Sequence, residues 1–247
     1  KTVKRNSWFM ISTFGEIMLR LGPKVPGERI TQATDFLIQP GGSESNVAIA
    51  LSNLGLKSCF ITALPNNPLS LIILQYLNQF GVNTDYIIHL GDRLGLYWTE
   101  TGIGPRNSYV IYDRNNSAFC ETKYTDYPWE KALKQTSWFH FSGISPAVSE
   151  SVSELLKKIT SNCDCPYSVD LNYREKLWKW LNKDKVRINQ VMTELCLNAT
   201  LIAGNESDFQ SIFGFQSDFE HDDMKFTEIA HKCFQTFSNT KFIAISN

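Results

Sequence analysis

A surplus of one charge is missing from this chain: 24 Lys and Arg stand against 25 Asp and Glu, for a formal net charge of −1. A nucleic-acid binder would usually show a basic excess or stripe, so that class is not expected. A long apolar run is missing too. The longest purely aliphatic stretch, Leu71–Leu74, is far too short to cross a bilayer. Basic residues do crowd the start (Lys1, Lys4, Arg5), but Trp8–Ile11 gives way at once to Ser12 and Thr13. A signal peptide is therefore not expected. The expectation is a soluble, cytoplasmic protein with no nucleic-acid or membrane partner.

Metal and redox motifs are equally sparse. The six cysteines include one C-x-C pair, Cys163 and Cys165, but no second pair at zinc-finger spacing and no nearby histidine. Ordinary reduced thiols are expected. The four histidines form no H-x-x-x-H or H-E-x-x-H pattern, and His140 sits in the strand-like run Trp138–Phe141. It is given no role. Two nucleotide fingerprints are absent as well. After the first strand the chain reads Phe14-Gly15-Glu16-Ile17-Met18-Leu19, without the second glycine of G-x-G-x-x-G, and no G-x-x-x-x-G-K-[ST] stretch exists.

What is present is a rhythm of strands and helices. Phe9–Thr13 reads as a strand, 20–40 as loop or short edge strand, and Glu44–Leu54 as a helix closed by Gly55. Ser58–Ala63 is expected as a strand and Pro68–Phe80 as a helix closed by Gly81. Residues 94–119 break the rhythm, because Leu94, Leu96 and Trp98 alternate with Gly95, Tyr97 and Thr99 ahead of the turn Gly102-Ile103-Gly104-Pro105. That pattern predicts a β-hairpin. Then come strand Trp138–Ser142, helix Ser149–Ile159, strand Tyr167–Leu171, helix Lys185–Leu195 and strand Leu201–Ala203. Helices Asn205–Phe213 and Phe226–Phe237 and strand Phe242–Ser246 complete the series. Strands separated by helices imply a mostly parallel α/β sheet. The expected division is a core of 1–19, 41–93 and 120–247 with a β-lid of 20–40 and 94–119.

Ligands of open α/β sheets collect where strands end and helices begin. At one such place stands Pro40-Gly41-Gly42-Ser43-Glu44-Ser45-Asn46. Two glycines let a backbone approach a ligand, and the following helix offers free N–H groups. The same residues also fit a plain Gly-Gly turn with a serine helix cap. Both readings stay open on this loop alone.

The loops taken together are more specific. Gly41-Gly42, Asn46-Val47-Ala48 and Leu54-Gly55 resemble the N-terminal signature of the ribokinase-like (PfkB-type) carbohydrate kinases. Gly95-Leu96-Tyr97, Tyr112 to Ala118, Ser142-Gly143-Ile144 and Asp170-Leu171-Asn172-Tyr173-Arg174, with Leu177-Trp178, resemble its 2-keto-3-deoxygluconate kinase branch. The ordered matches run from about Phe14 to about Gly214. The resemblance implies a Rossmann-like α/β core with a small β-lid, and transfer of the γ-phosphate of ATP to a sugar hydroxyl with Mg²⁺ bridging the phosphates. By position it gives Gly41, Gly42, Asn46, Tyr97, Tyr112, Arg114 and Arg174 as sugar-acid-binding residues. Residue chemistry agrees, because guanidinium groups meet a carboxylate with charge-assisted, often bidentate hydrogen bonds. Read alone, Arg114 also fits a solvated hairpin charge and Arg174 a surface salt bridge.

Asn205-Glu206-Ser207-Asp208 resembles the family's N-x-x-E motif, with Asp in the fourth place, so Asn205 and Asp208 are expected to bind nucleotide phosphate and organise Mg²⁺. Helix capping by the same residues is compatible with that role. Ala63-Leu64-Pro65-Asn66-Asn67-Pro68 replaces the G-x-x-G-x-D of many relatives. The family's catalytic aspartate lies in a G-A-G-D-like turn, and no such turn occurs in residues 1–247. No catalytic residue is named. The expectation is a longer gene product whose C-terminal part is missing here. The function expected is a kinase turning 2-keto-3-deoxygluconate into its 6-phosphate. A kinase for a neutral sugar such as fructose, or a truncated non-catalytic sugar-acid binder, are the alternatives. Exposed lid edges would favour a homodimer.

Overall fold

The structure is a computed structural model that describes residues 9–219 and 221–246. Lys1, Lys4, Arg5 and Asn247 lie outside the described residues. The chain falls into two compact units, Lys1–Phe14 with Lys123–Asn247, and Gly15–Thr122. This cuts the chain differently from a core and a lid at 20–40 and 94–119. One apolar cluster gives the physical reason: Leu94, the first residue of the expected lid's second segment, and Leu19, just before its first, are buried with Ile49, Phe60, Ile73 and Leu77.

Strand β1 (Met10–Phe14) belongs to the first unit. Within Gly15–Thr122 follow β2 (Met18–Pro23), β3 (Phe36–Gly41), helix α1 (Ser43–Asn53), β4 (Lys57–Ile61), β5 (Ala63–Leu64), α2 (Pro68–Gln79), β6 (Ile88–His89), β7 (Leu96–Glu100) and β8 (Tyr109–Asp113). Four of these strands form a sheet in the order β3-β2-β7-β8. Residues 20–40 are thus more than loop or edge. β2 is an inner strand, antiparallel to β3 and parallel to β7. Gly22 and Pro23 disguise it in the sequence, yet a proline at the last residue of a strand costs the ladder little. The expected hairpin is present as the antiparallel pair β7 and β8.

The helices of this unit end where their punctuation says. Gly55 and Gly81 take the left-handed conformation, at φ 78° and 72°. Asn67 caps α2 by accepting from the backbone N–H of Leu69 at 3.0 Å and from that of Ser70, with Pro68 at the first helical position. The departure from the family pattern at 63–68 is therefore a working helix cap.

The other unit continues with α3 (Trp129–Lys134), β9 (Thr136–Ser142), α4 (Ile144–Val148), α5 (Glu150–Asn162), β10 (Tyr167–Asp170), α6 (Lys185–Cys196), β11 (Leu201–Asn205), α7 (Glu206–Phe213), α8 (Asp222–Thr236) and β12 (Phe242–Ser246). Its strands run parallel in the order β12-β11-β10-β9-β1. The α/β expectation holds. α3 and α4 were not legible in the sequence, being short, and α4 carries Pro146. The helices cover the sheet with buried stripes at helical spacing, Val152, Leu155, Leu156 and Ile159 on α5 and Ile188, Val191, Met192 and Leu195 on α6. Ser149 and Asp184 cap these two helices. His140 is a half-buried strand residue whose Nδ1 lies 2.8 Å from Ser168 Oγ, and burial of its ring drives its pKa down to about 4. It stays neutral at physiological pH.

Candidate functional site

The first group of candidate residues lies within Gly15–Thr122. Gly41 ends β3 opposite Met18, and Gly42 caps α1. Both glycines are forced by close approach. A Cβ on Gly41 would overlap the hydroxyl of Tyr97, and one on Gly42 would overlap the backbone carbonyl of Glu16. Ser45 Oγ donates to the Gly42 carbonyl at 2.9 Å, so the serine tightens the helix start as well. Asn46 is exposed on the first turn of α1.

Register then builds a polar row across the sheet. Gln39 on β3 faces Arg20 on β2, Arg20 faces Tyr97 on β7, and Tyr97 faces Tyr112 on β8. Residues opposite one another share a face. The rings of Tyr97 and Tyr112 lie 6.2 Å apart, tilted by 35°. Arg20 donates to the Gln39 side chain and is exposed. Burial raises the pKa of the Tyr97 hydroxyl, with the positive charge of Arg20 opposing, so it is a neutral phenol at physiological pH. Arg20 was not a candidate from sequence. Its signal is the strand register, invisible until β2 is known to be a strand.

Arg114 is neither a solvated hairpin charge nor open to solvent. It is 5% exposed, pairs with the buried carboxylate of Glu16, and stands with its guanidinium 5.7 Å from the centre of the Tyr112 ring. Ser117 Oγ donates to Glu16 Oε1 at 2.6 Å. Gly95 leaves room for this arrangement, since a Cβ there would press within 2.5 Å of Glu16 Oε1. Arg114 Nε is buried with no hydrogen-bond partner among the described residues. Glu16 was not a candidate from sequence either, although it lies in the Phe14–Leu19 stretch that follows the first strand.

The second group lies in the other unit, where a pocket of about 410 Å³ opens at the carboxyl ends of β10, β11 and β12. It is lined by Asp170, Asn172, Gly204, Asn205, Asp208 and Ser246, among others. Asn205 and Asp208 form a capping box at the start of α7. Asn205 Oδ1 accepts from the Asp208 N–H at 2.8 Å, and Asp208 Oδ2 accepts from the Asn205 N–H at 3.1 Å. The other carboxylate oxygen of Asp208 accepts from the Tyr173 N–H at 3.1 Å, tying the D-x-N-Y-R loop to α7. Arg174 is exposed and donates to the Tyr173 carbonyl at 2.9 Å.

Asp170 is the residue of this pocket that sequence reasoning passed over, although it heads the D-x-N-Y-R run at the end of a parallel strand. Burial, reinforced by the charge of Asp208 and opposed by Arg174, raises its pKa to about 6. The S-G-I block has a structural reason. A Cβ on Gly143 would overlap the Leu171 carbonyl, and the Gly143 N–H donates to the backbone carbonyl of Asp170 at 2.8 Å.

Two carboxylates fit Mg²⁺ in the way that ion is usually held, by one or two protein carboxylates with the rest of its shell from phosphates and water. Among the described residues no group of three or more metal-binding side chains occurs, so such an ion would depend on the nucleotide for its other ligands. Nor is any helix there long and apolar enough to cross a membrane.

The model of the pfkB family of carbohydrate kinases matches residues 9–243. Among curated proteins the chain is 38% identical over 173 residues to a 2-dehydro-3-deoxygalactonokinase of Haloferax volcanii, covering 67% of this chain and 52% of that protein. It is 30% identical over 184 residues to a 5-dehydro-2-deoxygluconokinase of Clostridium botulinum, covering 73% and 53%. The chain thus spans about half the length of the curated relatives it matches. Among solved structures, the 2-dehydro-3-deoxygluconokinase of Thermotoga maritima superposes with a TM-score of 0.88 at 38% identity, covering 96% of this chain and 72% of that one.

Proposed function

The chain belongs to the pfkB family of carbohydrate kinases, and we propose that its protein phosphorylates a sugar acid, 2-keto-3-deoxygluconate, at the 6-position with ATP and Mg²⁺. The observation that carries this reading is the exposed guanidinium of Arg20 in register with the Tyr97–Tyr112 pair, with Arg114, its charge offset by Glu16, against the Tyr112 ring. A neutral sugar is read well by carboxylates, amides and backbone groups, whereas an acid head calls for cations. The three similar proteins described above are kinases of dehydro-deoxy sugars or sugar acids and support the same substrate class, while fructokinases match at 25–30% identity.

In this proposal Gly41 and Gly42 let the sugar approach the backbone, Asn46 reads hydroxyls, and Tyr97 and Tyr112 form a flat wall with hydroxyl tips. Glu16 keeps Arg114 fixed, so little side-chain entropy is lost when substrate arrives. Arg174 adds a cation from the D-x-N-Y-R loop. ATP would supply the phosphoryl group, with Asp170 and Asp208 the carboxylates available to a Mg²⁺ ion and Asn205 at the phosphates. Holding Asp170 ionised beside a cation reverses its tendency to stay protonated. No residue of this chain is assigned as the base for the attacking hydroxyl.

Cytoplasmic location and a homodimer belong to the same proposal. The face of the four-stranded sheet opposite the tyrosine row carries Phe36, Ile38, Trp98 and Ile111, and Ile38 and Ile111 are exposed. A monomer mass in light scattering would remove the dimer. The function is tested with the full-length gene product in a coupled ADP-release assay. Turnover is expected with 2-keto-3-deoxygluconate, while equal or better turnover with fructose would overturn the sugar-acid assignment. Comparison with the 3-deoxygalactonate epimer decides between the two nearest substrates.

A further inference from the structure

The C-x-C pair takes no part in the proposed kinase chemistry, and the structure separates it from the other cysteines. Cys59, Cys120, Cys196 and Cys233 are buried, and burial raises their thiols, to about 12 for Cys59 and Cys233 and about 11 for Cys120. Cys163 and Cys165 are half-buried at the end of α5 and the entry to β10, with sulfurs 2.7 Å apart. They line a pocket of about 570 Å³ together with Tyr124, Glu130 and Lys134, which gives a small oxidant a way in. Two sulfurs alone fall short of a tetrahedral metal site, and no group of three metal-binding side chains occurs among the described residues.

We propose that Cys163 and Cys165 are a reversible modification site, a dithiol that a peroxide or a small disulfide converts into an intramolecular disulfide. The thiolate is the reactive form. Cys163 is the better candidate for it, since the Cys165 thiol hydrogen-bonds to its sulfur and lowers its pKa. With hydrogen peroxide, the Cys163 thiolate attacks one oxygen, the O–O bond breaks, and hydroxide leaves, giving a sulfenic acid. The Cys165 sulfur then attacks the Cys163 sulfur, the S–O bond breaks, and the departing hydroxide takes up the Cys165 proton. The balance is two thiols and one peroxide to one disulfide and two waters, with two sulfur electrons reducing the peroxide. One residue separates the two cysteines, so closing the ring removes little chain entropy. The bond is therefore an exchangeable one and no structural staple. It sits at the amino end of β10, whereas Asp170 and its pocket lie at the carboxyl end of the same strand.

The test is a cysteine count on the 247-residue chain. The native protein is treated with one equivalent of hydrogen peroxide, then unfolded and alkylated with iodoacetamide. Four cysteines are expected to take label in place of the six, with Cys163 and Cys165 the two protected. Before alkylation the mass should fall by two hydrogens, and dithiothreitol should restore all six labels. Cys163→Ser and Cys165→Ser each abolish the two-hydrogen loss, and in Cys165→Ser dimedone traps the sulfenic acid formed on the remaining Cys163. Both positions are half-exposed, so the variants should keep the wild-type circular dichroism spectrum. Retention of six labels, protection at the four buried cysteines, a disulfide between chains, or direct passage of the pair to sulfinic acid would each overturn the proposal.

Discussion

Within Gly15–Thr122 the buried charges beside the candidate residues are opposite in sign, Glu16 facing Arg114 with Ser117 completing the carboxylate's partners. At the carboxyl ends of β10 and β11 they are alike, Asp170 lying near enough to Asp208 for one charge to raise the other's pKa. The first cluster is already neutralised and held, and glycines at 41, 42 and 95 are cut to fit it. The second has an unpaired like-charge couple that a cation would relieve. A preorganised receptor suits a substrate that must be oriented. A repelling carboxylate pair suits an ion that comes and goes with its nucleotide.

The largest effect should come from breaking the opposite-charge pair. Glu16→Ala leaves Arg114 buried and unpaired, and is expected to cost about 3–5 kcal/mol in urea unfolding. Replacing both, as Glu16→Leu with Arg114→Met, should restore most of that loss, and a purely additive cycle would show the two residues to be uncoupled. Next is Asp208→Ala, which removes two acceptor contacts, to the backbone N–H groups of Asn205 in the capping box and of Tyr173 in the loop. We expect a loss of about 2 kcal/mol, and unchanged stability would mean that water replaces the carboxylate.

Asp170 should behave in the opposite sense. Its carboxyl has a higher pKa in the folded protein than in the unfolded chain, about 6 against 3.8. The contribution it makes when protonated is fully present below pH 3.8 and is lost as pH rises through 6. Asp170→Asn should therefore stabilise the chain at pH 7 by about 2 kcal/mol, and abolish the fall in Tm between pH 4 and 6 relative to wild type. A pH profile parallel to wild type would place the titration elsewhere. The smallest effect sharpens the substrate side. Arg20→Met should weaken sugar-acid binding about tenfold in calorimetry, roughly 1.4 kcal/mol, while leaving binding of a neutral sugar as it was. Equal loss for both sugars would make Arg20 a structural residue.

Much of this was legible because local chemistry is strong where it was read. Gly55 and Gly81 each end a helix in the left-handed conformation, and only glycine does so without strain. The buried stripes of α5 and α6 show the helical period directly. β2 was hidden because Gly22 and Pro23 look like loop, and α4 because one proline in five residues hides a helix. The candidate residues were found by pattern, but their partners were not. Arg114 gave no sign that Glu16, 98 positions earlier by number, would take its charge into the core. Arg20 could not be placed beside Tyr97 without the parallel register of β2 and β7.

By itself the sequence determined the alternation of strands and helices, the capping of the helices, and the set of polar and glycine residues placed at strand ends. Those depend on neighbours a few positions apart, which backbone geometry brings together in any fold. Tertiary structure alone decided which charges were paired, which were left repelling, and which cysteines stayed within reach of solvent. Burial and long-range register set the energy of a charge, and neither is encoded within a few residues of the group that carries it.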